Sequence, residues 1–438
     1  MDSRGNNKNI WYWVMYDFAN SLGNITLAFY FILWFVADLG GADIWISVAL
    51  AGATIVMFFT LPVFGAISDR LRRKMPFLRV FTILAIISLL ALGIVAGQTS
   101  TLTFSSGILI IGLYFFFQYF YQGSFAFYHS FLPDLAVSRS LEKISGFGVA
   151  AGQLGNVIGL AVALPFASGT FSLFGFSGRP ATFLIAAISF FVFVLPTLVR
   201  LKDKDRLAQV DSAANGAGPR ATFGKSFKET IADIRHIKKY PGVLTYLISY
   251  YFFADASLTF LLFGSLYLEI VAGLNDAQKT MVGIISLAFT VLGALLAERM
   301  MKKLGGPKKG LSFFIIFEAV LLGILALSAH KIIFMAMMIL NGFAFGALFA
   351  LSRAFYSKLI PQGQQAKFFG IYVLFERSAS ILGPLVWSLT IIIFAFLGNV
   401  VRYRLAMFSL AIMLLISYII FRFVKEPLNH GNTEELGT

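Results

Sequence analysis

Gly65-Ala66-Ile67-Ser68-Asp69-Arg70-Leu71-Arg72-Arg73-Lys74 closes one long apolar run, and Ala294-Leu295-Leu296-Ala297-Glu298-Arg299-Met300-Met301-Lys302-Lys303 closes another. Both read small-x-x-x-acid-Arg-x-x-base-base, and 294 − 65 puts them 229 residues apart. A second pair repeats at 354 − 126, or 228 residues: Ala126-Phe127-Tyr128 with Pro133, and Ala354-Phe355-Tyr356 with Pro361. Two unrelated motifs at nearly one offset imply an internal duplication. In a membrane protein, parallel repeats are the design of transporters that rock about a midplane site.

Composition places the chain in a bilayer. Of its 438 residues 58% are apolar and 13% charged, with a mean hydropathy of +0.81, outside the range of soluble domains. A spanning helix needs about 20 apolar residues. Twelve such runs begin near Trp11, Ile44, Phe77, Phe104, Gly146, Ala181, Gly242, Met281, Leu311, Ile332, Gly370 and Arg404. Short alternating segments of a β-barrel are missing. The expected fold is therefore all-α: twelve transmembrane helices in two six-helix bundles. The expected division is an N-terminal bundle at 1–200, a linker at 201–240, a C-terminal bundle at 241–425 and a tail at 426–438. The first run carries Asp17, Asn20 and Asn24 and no small-x-small cleavage site, so it reads as a retained span rather than a removable leader.

A net charge of +14 raises the question of nucleic acid, and its distribution answers it. Ends and loops on one side of the twelve runs hold 29 of the 35 Lys and Arg, leaving Arg179, Lys279, Lys331, Arg402 and Arg404 on the other and Arg377 within a span. The positive-inside rule then puts both termini and the linker in the cytoplasm, as expected for a bacterial inner membrane, and anionic lipid headgroups become partners of the basic loops. Within the linker, residues 211–219 lack apolar periodicity, whereas Phe223, Phe227, Ile231, Ile234 and Ile237 recur at helical spacing among bases. That helix lies on the membrane or packs beneath the bundle. With no cysteine the chain has no disulfide and no thiolate metal site.

The residues resemble the major facilitator superfamily, and within it the vacuole-effluxer branch that includes fungal autophagy-related proteins. The superfamily loop Gly-x-x-x-Asp-Arg-x-Gly-Arg-Lys is matched at Gly65, Asp69, Arg70, Arg73 and Lys74, with Arg72 in place of Gly. Branch motifs are matched by Tyr16-Asp17-Phe18-Ala19-Asn20-Ser21, by Phe127-Tyr128 with Leu132-Pro133-Asp134, and by Asp255 with Thr259, where Ala256 replaces Gly. Others are Ala350-Leu351-Ser352-Arg353, Leu359-Ile360-Pro361, Phe368-Phe369-Gly370 with Tyr372, and Leu382-Gly383-Pro384. Phe349 and His129 depart from the usual Gln and Asn. The resemblance implies a cavity lined by spans 1, 4, 7 and 10, alternating access, amino acid efflux, and contact between Asp69 and the start of span 11.

Ionisable groups in hydrocarbon cost roughly 2.5–3.5 kcal/mol on insertion scales, so each calls for an explanation. Asp17, Asn20, Ser21 and Asn24 fall at i, i+3, i+4 and i+7 on one face of span 1. Asp255 and Thr259 repeat this on span 7, Gln118 and Gln122 lie on span 4, and Asn341 with Ser352 on span 10. These stripes line the cavity or tie helices together. Asp255, about 20 Å along its span at 1.5 Å per residue, is the candidate for proton coupling or for a substrate cation, with a structural hydrogen bond as the alternative. Glu318 on span 9 reads as structural pairing. Glu376 and Arg377 point about 100° apart, so each needs its own partner. Asp69, Arg70, Arg73, Glu298, Arg299, Arg353, Glu376 and Arg377 form the candidate gating set. Gly148, Gly152, Gly155 and Gly159 predict a close helix approach, and Gly383-Pro384 a kink.

Two motifs are set aside. His129 and Asp134 have the His-x4-Asp spacing of lipid acyltransferases, but their neighbours already belong to the transporter motif. Gly224-Lys225-Ser226 resembles the end of a P-loop, yet Pro219 stands at its first Gly and no strand precedes it. The expectation is a monomeric secondary transporter, not an enzyme, with no cofactor, metal or nucleic acid. Its partner is a small-molecule or amphipathic substrate, with protons as the candidate coupling ion. Amino acids compete with a lysolipid as cargo, and a non-transporting receptor or scaffold is the rival from another class.

Overall fold

Hydrocarbon cannot solvate a backbone N–H or C=O, so each apolar run closes its hydrogen bonds within itself. The computed structural model describes residues 3–71, 73–135, 141–203, 240–360 and 378–425, with 368, 371, 372, 375 and 376 between them. The linker and its amphipathic segment, Arg377 and the tail lie outside the described residues, as do the side chains of Asp69 and Arg70. In chain order the first six long helices are α1 (Ser3–Ile32), α2 (Asp43–Leu71), α3 (Met75–Gln98), α4 (Phe104–Ser130), α5 (Leu141–Ala167) and α6 (Arg179–Arg200), with one helical turn, Leu132–Leu135, between α4 and α5. The second six are α7 (Pro241–Ile270), α8 (Asp276–Lys303), α9 (Pro307–Leu327), α10 (Lys331–Leu359), α11 (Leu382–Ile393) and α12 (Asn399–Arg422). Eleven are long and apolar enough to cross a membrane, and α11 is a shorter apolar helix of 12 residues. Among the described residues the β-structure is one isolated bridge, Leu173 to Phe176.

Local signals set the helix ends. Thr103 and Ser106 form a reciprocal capping box at α4, and Asn275 and Gln278 do the same at α8. Proline opens α3, α6, α7 and α9, where its missing N–H costs nothing. Beyond Ile32, α1 widens into a π-helix, Leu33–Asp38.

The bundle is packed inside and apolar outside. Leu295, Leu327 and Ile332 present their side chains outward, while Asn20, Asp255 and Glu318 are buried. The glycine stripe of α5 does bring helices together: a Cβ at Gly159 would lie 2.7 Å from Leu22 O, and one at Gly155 would strike Phe18 O. In the second bundle a comparably close seam joins a different pair, α8 and α10, where Gly342 faces Ser286 O and Gly346 faces Thr290 O too closely for any side chain.

Among the described residues, the hydrogen bonds between the bundles lie at the end opposite the basic loops. Tyr30 Oη lies 2.6 Å from Thr280 Oγ1, and Ser265 Oγ donates to Phe29 O at 3.1 Å. Across the molecule, Ser47 Oγ donates to Pro384 O at 2.8 Å and lies 2.7 Å from Ser388 Oγ. Asp43 accepts from Tyr403 Oη at 2.7 Å and from Trp387 Nε1 at 3.4 Å.

Candidate translocation site

The polar faces of α1 and α7 play equivalent parts in the two bundles. On α1, Asp17 and Ser21 turn toward α5, where a Cβ on Gly152 would lie 3.0 Å from Ser21 Oγ and 3.3 Å from Asp17 Oδ1. Tyr128 of α4 stands beside Asp17 and stacks between Trp13 and Tyr16 at centroid distances of 4.5 and 4.8 Å. Trp13 Nε1 donates to Tyr128 O at 3.0 Å, pinning this aromatic layer. On α7, Asp255 and Thr259 turn toward α11, and a Cβ on Gly383 would lie 2.8 Å from Asp255 Oδ1 and against Thr259 Oγ1. Acid and hydroxyl four residues apart, facing a glycine of the fifth helix, thus occur once in each half.

Asp255 holds the start of α11. The backbone N–H of Gly383 donates to its Oδ2 at 2.7 Å, and that of Leu382 also reaches the carboxylate. Residues 379–381 form a turn, so α11 begins at mid-span with free N–H groups that a buried carboxylate satisfies. Gly383-Pro384 therefore marks a break with a new N-terminus rather than a smooth kink. Asp255 Oδ1 and Thr259 Oγ1 remain without hydrogen-bond partners, as do both polar atoms of Asn20. Asp255 and Asn20 are 0% exposed.

The other predicted cavity residues divide. Gln118 is buried and donates to Tyr114 Oη at 3.0 Å, while Asn24 and Gln122 are half-buried. Asn341 lies beside Glu318, together with Ser257 of α7. Glu318 is 0% exposed, and neither of its oxygens makes a hydrogen bond of full geometry. Asn341 thus joins a polar cluster between α7, α9 and α10, apart from the Asp255 contact with α11.

Of the gating residues, Arg353 pairs with Glu376 at 3.4 Å, their side chains 60% and 29% exposed near the basic end of α10. Glu298 pairs along its own helix with Lys302 at 2.7 Å, and Arg73 and Arg299 are exposed. At that same end Lys74 bridges Asp134 at 2.7 Å and Ser130 O at 2.6 Å, while Asp203 accepts from the N–H groups of Lys74 and Met75 at 2.9 and 3.1 Å. These bonds fasten the duplicated loop to α4 and α6 of its own bundle. His129 is exposed and stacks on Phe125.

Sequence reasoning missed the largest ion cluster among the described residues, at the opposite end. Arg179 donates through Nε and Nη2 to Asp276 at 3.1 and 3.0 Å. It donates through Nη1 and Nη2 to Glu269 at 3.2 and 2.5 Å, and through Nη1 to Asp38 at 2.8 Å. The five N–H groups of a guanidinium are thereby all used. Lys279, fully buried, pairs with Glu269 and with Asp276 at 2.8 Å in the second case. The available signal was a loop dense in charge, Glu269, Asp276 and Lys279, facing a lone Arg179 on the side poor in bases.

The model of the family described as vacuole effluxer Atg22 like matches residues 45–434. An uncharacterized MFS-type transporter, YxiO of Bacillus subtilis (strain 168), is 24% identical over 430 residues, covering 94% of each chain. Autophagy-related protein 22-2 of Aspergillus clavatus is 23% identical over 286 residues, 59% of this chain and 45% of that one, so the chain spans about half the length of this fungal relative. Among solved structures, a point mutant of the nucleoside transporter NupG superposes with a TM-score of 0.74 at 13% identity, covering 95% of this chain and 100% of the other. An inward-facing, unoccupied bacterial homolog of the human lysosomal transporter Spinster gives 0.70 at 11% identity, covering 96% and 97%. At such identities the structures speak for the fold, while the family model spans most of the sequence. The chain belongs to the Atg22-like vacuole-effluxer family and is a multi-pass membrane transporter of the major facilitator type.

Proposed function

We propose that this protein is a secondary active transporter that moves a small organic solute by alternating access, with its binding region between α1, α4, α7 and α10. One observation carries the reading: among the described residues, hydrogen bonds and ion pairs between the bundles gather at the end away from the basic loops, while unpaired polar atoms of Asn20, Asp255 and Thr259 are buried at mid-span. Orphaned polar atoms in a membrane interior cost free energy unless a ligand or water meets them. With the basic loops and both termini cytoplasmic, this is an inward-facing arrangement of a bacterial inner-membrane monomer. The family description supports efflux as the direction, amino acids are the cargo we put first, and Asp255 is the residue that couples their movement to protons. The fold itself is neutral on cargo, since similar structures include a nucleoside transporter and a D-xylose-proton symporter.

A second cargo class, amphipathic molecules such as lysolipids, is favoured by a groove of about 640 Å³ between α1, α5 and α6, lined by Ile10, Trp11, Phe18, Phe147, Leu154 and Phe193. Its walls suit an acyl chain. The deciding experiment is thermal stabilisation of the purified protein across amino acids, nucleosides, sugars and lysolipids, because a ligand of the folded state raises its stability by mass action. Hits are then followed as uptake into vesicles with and without a pH gradient. No stabilisation and no uptake for any class, in protein that remains folded, would favour a receptor or scaffold instead.

A further inference from the structure

The internal duplication extends to the contacts that close the molecule. Asp276 is the first residue of α8, and Asp43 the first residue of α2, the equivalent helix of the other half. Each carboxylate crosses to the opposite bundle and engages the first turns of that bundle's sixth helix. Asp276 meets Arg179, the first residue of α6, and Asp43 meets Tyr403, in the second turn of α12. Both sixth helices begin in the same way, after a glycine held at positive φ: Gly178 at 72° and Gly398 at 82°. A base accompanies each contact as well, since Arg402 stacks its guanidinium 5.7 Å from the Tyr403 ring and acts electrostatically on Asp43.

We propose that these are two latches related by the pseudo-twofold axis, which together hold the outer end shut and must both release for the cavity to open outward. The proposal rests on the alternating-access reading and names the residues that set its equilibrium. Position supports it. One latch joins α6 to α7 and α8, the other joins α2 to α11 and α12, so the bundles are clasped on two opposite flanks. A bundle that rocks about an axis between them stretches both clasps together.

The latches differ in chemistry. Arg179 spends every donor on three carboxylates, in a planar fork that lysine cannot reproduce. Asp43, 4% exposed, is held by a hydroxyl and an indole. Arg179→Lys is therefore expected to weaken the first latch although charge is kept, and Asp43→Asn to spare the second, because an amide oxygen still accepts from Tyr403.

The chain has no cysteine, so a spin-label pair at Thr170→Cys and Ser328→Cys, on outer loops of opposite bundles, reports the outer gap without background. In the unmodified background one short distance should dominate. Arg179→Lys and Tyr403→Phe should each add a longer distance, and the double variant should raise its population about tenfold or more over either single change. Arg179→Ala is the stronger version, and the two milder substitutions keep the test available if it fails to fold. If the gap widens on adding a stabilising ligand yet stays fixed in both single variants and the double, the latch proposal is wrong and alternating access stands. If the gap is invariant under every ligand, pH and substitution, the transport reading falls with it.

Discussion

Gly383→Ala tests the joint between α7 and α11 directly. The new methyl would lie 2.8 Å from both Asp255 O and Asp255 Oδ1 and would run into Thr259 Oγ1. A main-chain oxygen cannot rotate aside, so the helices must part or the Gly383 N–H bond to Asp255 must break. Overpacking of this kind costs about 1–3 kcal/mol. Loss of a hydrogen bond to a carboxylate adds about 1.5–3 kcal/mol. The variant should therefore be destabilised by about 2.5–6 kcal/mol, read as a shifted midpoint in SDS titration of the protein in mixed micelles. Thr259→Ala alone should cost under about 1 kcal/mol, since its hydroxyl has no partner to lose. On the Gly383→Ala background it should recover at least about 1 kcal/mol by vacating the clash, a coupling that a double-mutant cycle isolates. A Gly383→Ala protein as stable as the parent, or strictly additive effects, would refute the packing argument.

Asp255→Asn is expected to abolish uptake driven by a pH gradient in reconstituted vesicles while exchange of labelled for unlabelled substrate persists; unchanged gradient-driven uptake would leave Asp255 a structural cap. Glu318→Gln, which removes a buried acid beside Ser257 and Asn341, should leave gradient-driven uptake within about twofold and thermal stability equal or higher, as expected where a buried ionisable group lacks full pairing. Gly155→Val should prevent α1 from seating on α5, giving a loss above about 4 kcal/mol or no folded protein by size-exclusion profile, because its Cβ meets Phe18 O. A cysteine at Ser212 should react with an impermeant maleimide only after the membrane is breached, and labelling of intact cells would invert the topology.

What the sequence made legible follows from how short the relevant correlations are. A helix that must satisfy its own backbone in lipid leaves a continuous apolar run of about 20 residues, so the spans could be counted directly. The α5 stripe was legible because residues four apart share a face, and a face of glycines has few uses other than close approach. The i, i+4 pairs Asp17/Ser21 and Asp255/Thr259 were visible for the same reason. Their destination was not. Asp255 is answered by a backbone N–H, which any residue supplies, so nothing in the sequence marks Gly383 as its partner. Arg179 meets Glu269 and Asp38 at separations of 90 and 141 residues, and each by itself is an ordinary charge at a helix end. Which helix ends coincide is decided by how two bundles dock, a property of summed surfaces rather than of local pattern.

The interruption at 379–381 divides the eleventh span between two owners. Ahead of it, Phe368 O accepts from Tyr356 Oη at 2.8 Å, Tyr372 Oη lies 3.2 Å from Ser352 Oγ, and Glu376 reaches Arg353, so this portion is tied to α10, with Tyr372 also packing on Tyr250 of α7 at 4.5 Å. After it, Gly383 is held by α7 and Pro384 by Ser47 of the opposite bundle. A continuous rod transmits any displacement of one end to the other, whereas a rod in two pieces does not. Movement of the portion ahead of the break is thus not passed straight along span 11 to Pro384 and its contact with Ser47, and the carboxylate of Asp255 sits at the bearing between the two pieces.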